Sequence, residues 1–295
     1  MEPNTQTPVW GDVLVTFTGQ DAWATFNPGF VIGFGANPPI WSLTIEISFY
    51  ILLPFIASAY CRRPLLGLAI AAGLSIAWRL GFANVADLAG LLGIDVSAAR
   101  AAELRLASYN QLPSWAFAFG AGMTAAWAYV SLPRRFGPET VRGAARPALL
   151  ASVAAIAICA YFSSRYSSGT VPVVAALKAQ RDVLLFLAYV SAIASAMLAL
   201  SLSGWRSPFA APFARRLGDI SYGVFLIQIP VIGALIVFTG LDPNGSVGAL
   251  ALFAAIVVAI CIAYGYLSAR FVEQPIRRWA RRYDRRAKEP SPAPA

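Results

Sequence analysis

At 295 residues, 58% hydrophobic and only 13% charged, the chain carries about half the charge of a soluble domain, for which roughly 25% is usual. Its formal net charge of +9 could suit nucleic acid, but that needs a basic face on a soluble domain. Here the arginines stand between apolar runs and in the tail, so the composition excludes a nucleic-acid partner and points to the lipid bilayer.

Residues 1–39 contain no Lys or Arg, and no apolar block follows a positive start, so the N-terminus is unlike a signal peptide. After it come seven segments near the roughly 20 apolar residues that a spanning helix needs. They are 40–60, 64–82, 112–131, 147–162, 183–203, 219–240 and 246–269, the fourth being short. The expected fold class is therefore all-α, a polytopic transmembrane helix bundle. Of the 23 basic residues, 17 fall on one side of these spans, in the loops after the first, third and fifth helices and in the tail. Positive loops stay in the cytoplasm. That orientation makes residues 1–39 an extracytoplasmic segment, 40–269 the transmembrane domain and 270–295 a basic cytoplasmic tail. In the tail, Ile276, Trp279 and Tyr283 recur at helical spacing among arginines, the pattern of an amphipathic helix held to anionic lipid. The last residues, Pro290 to Ala295, read as disordered.

Polar residues inside apolar runs are functional candidates, because an ionisable group near the bilayer centre costs about 2.5–3.5 kcal/mol on insertion scales. Glu46 is the clearest. Spacing of four places Ser42, Glu46 and Tyr50 on one helix face, and this stripe is expected to face other helices or a water-filled cavity. The structural alternative is that Glu46 pairs with Arg79 and locks two helices. A second candidate run is Gly218-Asp219-Ile220-Ser221-Tyr222-Gly223, with Gln228 and Pro230 beyond it. Asp219 reads as the N-cap of the sixth helix, and capping alone would explain the run. Glu273, among the arginines that follow the seventh helix, reads as half of a solvated ion pair. Gly120 and Gly122 suggest close helix packing. Cys61, Cys159 and Cys261 lack metal-ligand spacing, so no metal site is expected. The chain has no histidine, which removes the commonest general base. No phosphate loop, dinucleotide fingerprint or nucleophile elbow occurs.

Three runs together resemble acyltransferase family 3, bacterial membrane enzymes that acylate cell-surface sugars. The first and most specific runs from Asn37-Pro38-Pro39-Ile40-Trp41-Ser42 to Glu46, with Phe49-Tyr50 and Pro54 behind. The others are Leu217-Gly218-Asp219-Ile220-Ser221-Tyr222-Gly223 and Phe271-Val272-Glu273-Gln274-Pro275. The resemblance implies a bundle of about ten spans, of which this chain supplies about seven. It also implies transfer of an acyl group, typically acetyl from acetyl-CoA as the donor substrate, to a carbohydrate or glycolipid hydroxyl. By the same resemblance Glu46 is the catalytic carry-over, while Trp41, Ser42, Tyr50, Ser221, Tyr222 and Gln228 are substrate-binding candidates. No cofactor is expected to be permanently bound, and self-association as a homo-oligomer stays open. The implied location is the bacterial inner membrane, with the C-terminus in the cytoplasm. The family's histidine in its first helix and its paired arginines upstream of the fourth have no counterpart here. The expectation is thus an N-terminally shortened enzyme whose isolated chain transfers little or no acyl group. The competing readings are a polar-lined transporter or flippase component and a non-catalytic remnant.

Overall fold

The computed structural model describes residues 40–167, 178–205, 211–239 and 246–288. The segment 1–39, the final Pro290–Ala295 stretch and the side chains of Trp41 and Tyr283 lie outside the described residues. Every element among the described residues is helical: α1 (Ile40–Arg62), α2 (Pro64–Ala83), α3 (Val85–Leu91), α4 (Ala98–Tyr109), α5 (Leu112–Phe136), α6 (Pro138–Ser167), α7 (Lys178–Leu202), α8 (Pro212–Thr239) and α9 (Val247–Ser268). A π-helical turn, Ala269–Glu273, then joins α9 to α10 (Gln274–Lys288). Six stretches are long and apolar enough to cross a bilayer: Ile45–Arg62, Pro64–Ala83, Pro138–Tyr166, Lys178–Leu202, Pro212–Thr239 and Val247–Arg281. The chain is a multi-pass helical membrane protein.

Proline sets several helix starts, because its fixed φ suits the first turn and its missing N–H is not needed there. Pro64, Pro138 and Pro212 open α2, α6 and α8, and Pro113 is the second residue of α5. This moves two expected boundaries. The fourth segment is not short, since α6 begins at Pro138 and covers 30 residues. The sixth begins at Pro212, so Asp219 lies inside α8 and cannot be its N-cap. The first bond of α8 instead runs from Arg215 N–H to the Ala211 carbonyl at 3.0 Å. Serine does cap elsewhere: Ser97 Oγ accepts from Arg100 N–H ahead of α4, and Ser246 Oγ from Ala249 N–H ahead of α9.

The segment around 112–131 forms a 25-residue helix, but it is not among the six most apolar stretches. Its serines, glycines and Thr124 lower its hydropathy, and its neighbours explain how that is tolerated. Helix α5 packs along α2, α7 and α6, burying Ser114, Phe117, Gly120, Ala121 and Ala128. Between the second and third expected segments, the short helices α3 and α4 appear where no element was foreseen.

The chain divides into two compact units, one carrying α1–α7 and the other α8–α10. In the first, α2 pairs with α5, α6 pairs with α7, and α5 joins the two pairs. Tyr60 ties α1 to this frame: its hydroxyl donates to the Gly120 carbonyl at 2.7 Å and lies 2.9 Å from Thr124 Oγ1. Gly67 and Gly120 make room for it, since an added Cβ would meet the Tyr60 ring at 2.5 Å or the Ala71 Cβ at 2.8 Å. Gly122 meets nothing within 4 Å, so only one of the two expected glycines is a packing residue. In the second unit α8 packs on α9 at Gly223 and Gly265, where a Cβ on Gly223 would lie 2.8 Å from the Gly265 Cα.

Candidate functional site

Helix α1 stands off from α2 and α5, leaving an apolar cleft of about 640 Å³. Phe49 bridges one part of the gap by stacking on Phe119, ring centroids 4.0 Å apart. Leu52, Ile56, Leu66, Ile70 and Leu74 wall the cleft, and Arg63 is the charged residue in its lining. Such walls can hold hydrocarbon. They offer almost nothing to a charged group.

The expected polar stripe on α1 does not face this cleft. Ile45 is 5% exposed, whereas Glu46 and Tyr50 are exposed and Ser42 is half-buried. Helix α1 therefore turns Ile45 and Phe49 inward and Glu46 outward, because the apolar side chains at this spacing take the packed side. Glu46 lies inside α1, which begins at Ile40. Among the described residues Glu46 has no ion pair, so the alternative of a lock with Arg79 does not form.

Arg79 is used differently. It is buried near the end of α2, its Nε donates to the Ser114 carbonyl at 3.1 Å, and its guanidinium lies 3.6 Å from the Phe186 ring centroid. Tyr109 and Trp115 flank it at 5.2 and 5.5 Å. Four residues before it on the same face, Ser75 Oγ donates to the Pro113 carbonyl and accepts from Phe117 N–H. This polar junction of α2, α5 and α7 was missed in the sequence. Ser75 and Arg79 at spacing four, with Tyr109 and Trp115 around the α4–α5 turn, were the available signal.

The second candidate run lies on α8. Ser221 is exposed and its Oγ donates to the Gly218 carbonyl at 2.8 Å, a local bond within the helix. Tyr222 is 41% exposed, and Gln228 is half-buried two residues before Pro230. Gly223 is explained by the close approach of α9. The third run meets the second. Arg277 lies 3.4 Å from Glu273 Oε2 and 3.8 Å from Asp219 Oδ1. Glu273 Oε1 also accepts from Ser268 Oγ at 3.3 Å, and its side chain is only 10% exposed. Glu273 is thus not the solvated partner expected, because the π-helical turn tucks its side chain in against Ser268.

No group of three or more His, Cys, Asp or Glu side chains suited to a metal ion occurs among the described residues. Against known proteins, the family model described as an acyltransferase domain, acyltransferase 3, matches residues 4–266. No curated protein and no solved structure matches the chain.

Proposed function

Because the chain belongs to acyltransferase family 3, we propose that it moves an acyl group, acetyl in the first instance, from a cytoplasmic acyl-CoA to a hydroxyl of a cell-surface carbohydrate or glycolipid. The observation that carries this reading is the family match across residues 4–266 of a multi-pass helical bundle. The acyl-CoA is a substrate, and the reading needs no resident cofactor or metal. The working location is the bacterial inner membrane with the C-terminus inside, following the charge bias of the loops.

In such a transfer the acceptor oxygen attacks the acyl carbonyl, the acyl–sulfur bond breaks, and the hydroxyl proton must go to a base. With no histidine in the chain, Glu46 is the carboxylate this reading assigns to that hydroxyl. Its outward position on α1 leaves it open to a partner, and a carboxylate can accept the hydroxyl's hydrogen bond and orient it for attack. Trp41, Ser42 and Tyr50 on α1, and Ser221, Tyr222 and Gln228 on α8, are the substrate-binding positions of the same reading. Turnover is expected to be slow, because no imidazole is available as the base.

The test supplies radiolabelled acetyl-CoA to membranes containing the chain and measures label recovered in surface carbohydrate. Incorporation is expected to be small but above that of membranes lacking the chain, and Glu46→Gln is expected to bring it down to that background. Incorporation no higher than in chain-free membranes overturns acyl transfer. Equal incorporation by wild type and Glu46→Gln removes Glu46 from the chemistry.

A further inference from the structure

The cleft between α1, α2 and α5 takes no part in the acyl-transfer reading, yet its walls and one end differ in chemistry. Two aromatic side chains prop it open. Phe49 stacks on Phe119, and the Tyr60 hydroxyl donates to the Gly120 carbonyl, so α1 meets α5 through side chains. The space beside them, about 640 Å³, falls in the usual range of ligand pockets, about 300–1,000 Å³. Left empty, it would forfeit the dispersion contacts of the side chains around it. Leu52, Leu66, Ile70 and Leu74 line the cleft and are all exposed, so it is open to the surrounding lipid. Apolar walls of this kind stay dry and accept apolar guests.

The charge lies at one end. Arg63 lines the cleft at the turn between α1 and α2, where its N–H donates to the Tyr60 carbonyl at 3.1 Å. Arg62 precedes it, and both residues are exposed. Neither forms an ion pair among the described residues, and no carboxylate is among the described residues that line the cleft. From Arg63 to Leu74 the α2 wall runs about 16 Å at the helical rise per residue. That is close to half of the hydrocarbon core, about 30 Å thick, and so to the depth of one leaflet. A dry slot of that depth with a cationic end matches a phospholipid, its acyl chain in the slot and its phosphate at the arginines. A neutral hydrocarbon would leave the arginines without a counter-charge, and a soluble anion would leave the walls bare. In the orientation that the loop charges favour, this turn faces the cytoplasmic leaflet, which carries the anionic lipid.

We propose that this cleft binds one anionic phospholipid, with an acyl chain between α1, α2 and α5 and the headgroup at Arg62 and Arg63. The proposal does not rest on acyl transfer, because its readout is binding.

The experiment is native mass spectrometry of the full chain in maltoside detergent, titrated with dioleoyl phosphatidylglycerol or, as the zwitterionic control, dioleoyl phosphatidylcholine. Wild type is expected to retain one phosphatidylglycerol saturably. It should bind that lipid at least about fivefold more tightly than phosphatidylcholine, the scale of one basic residue at a lipid surface. The double variant Arg62→Gln, Arg63→Gln should lose that preference while keeping the fold, because both residues are exposed. Ala59 lines the cleft from α1, so Ala59→Trp should fill it and remove the single site for both lipids. Where Ala59→Trp unfolds, the arginine variant decides alone. No retained lipid in wild type, the result expected if a polypeptide segment covers the cleft, overturns the proposal. Equal affinity for the two lipids, an undiminished preference in the double arginine variant, or an undiminished site in folded Ala59→Trp does the same.

Discussion

The two units solve the same packing problem in opposite ways. In the α8–α10 unit, Gly223 and Gly265 bring two backbones into direct contact, with the Ile220 carbonyl only 2.7 Å from where a Gly265 Cβ would stand. In the α1–α7 unit, Gly67 and Gly120 clear a space that the Tyr60 ring and hydroxyl fill. Apolar helices in lipid gain little from the hydrophobic effect and rely on close packing and interhelical hydrogen bonds. The second unit uses the former at its crossing, and the first adds the latter. Contact between backbones leaves no flexible atom to move. An aromatic plug has some freedom.

That difference predicts a graded series, each member measured as a change in unfolding free energy of the full chain in detergent. Gly265→Val should be the most damaging, at about 3 kcal/mol, since overpacking without relief costs 1–3 kcal/mol or more. A loss under 1 kcal/mol would mean that α8 and α9 do not touch at these glycines. Tyr60→Phe keeps the ring and removes its hydroxyl, so a loss of about 0.5–1.5 kcal/mol is expected. A loss as large as that of Gly265→Val would show that the hydrogen bond, and not the filled space, holds α1. Gly122→Ala is expected to be neutral or stabilising by up to about 1 kcal/mol, from helix propensity alone. A clear destabilisation there would place an unseen neighbour against α5.

The two arginines sharpen the same contrast. Arg277 is half-exposed and has two carboxylates, Glu273 and Asp219, near enough to share its charge. Arg79 is buried and has aromatic rings and one carbonyl. The first arrangement satisfies itself within the protein. The second relies on ring faces and a single carbonyl in place of a carboxylate.

Much of the architecture was legible in the sequence because the signals were local. Each apolar run predicts its own helix, and all seven expected segments correspond to helices. Local signals also misled where two of them overlapped. Asp219 looked like a cap because it precedes an apolar run, yet Pro212 had already started the helix. Glu46 was expected to face other helices or a cavity because its neighbours are apolar, but the same neighbours, Ile45 and Phe49, claim the packed face and turn the carboxylate outward.

Composition and periodicity alone thus determined that this chain is an all-helical membrane protein, and three short runs indicated the family that residues 4–266 match. Tertiary structure decided how the polar residues are used. Arg79, Tyr109, Ser114, Trp115 and Phe186 come from four helices and meet only when α2, α5 and α7 pack. Asp219 and Arg277 lie 58 residues apart and meet only because α8 and α9 close on their glycines. Helix formation depends on bonds between residues four apart, which a sequence displays directly. The partner of a buried charge depends on contacts between distant segments, which it does not.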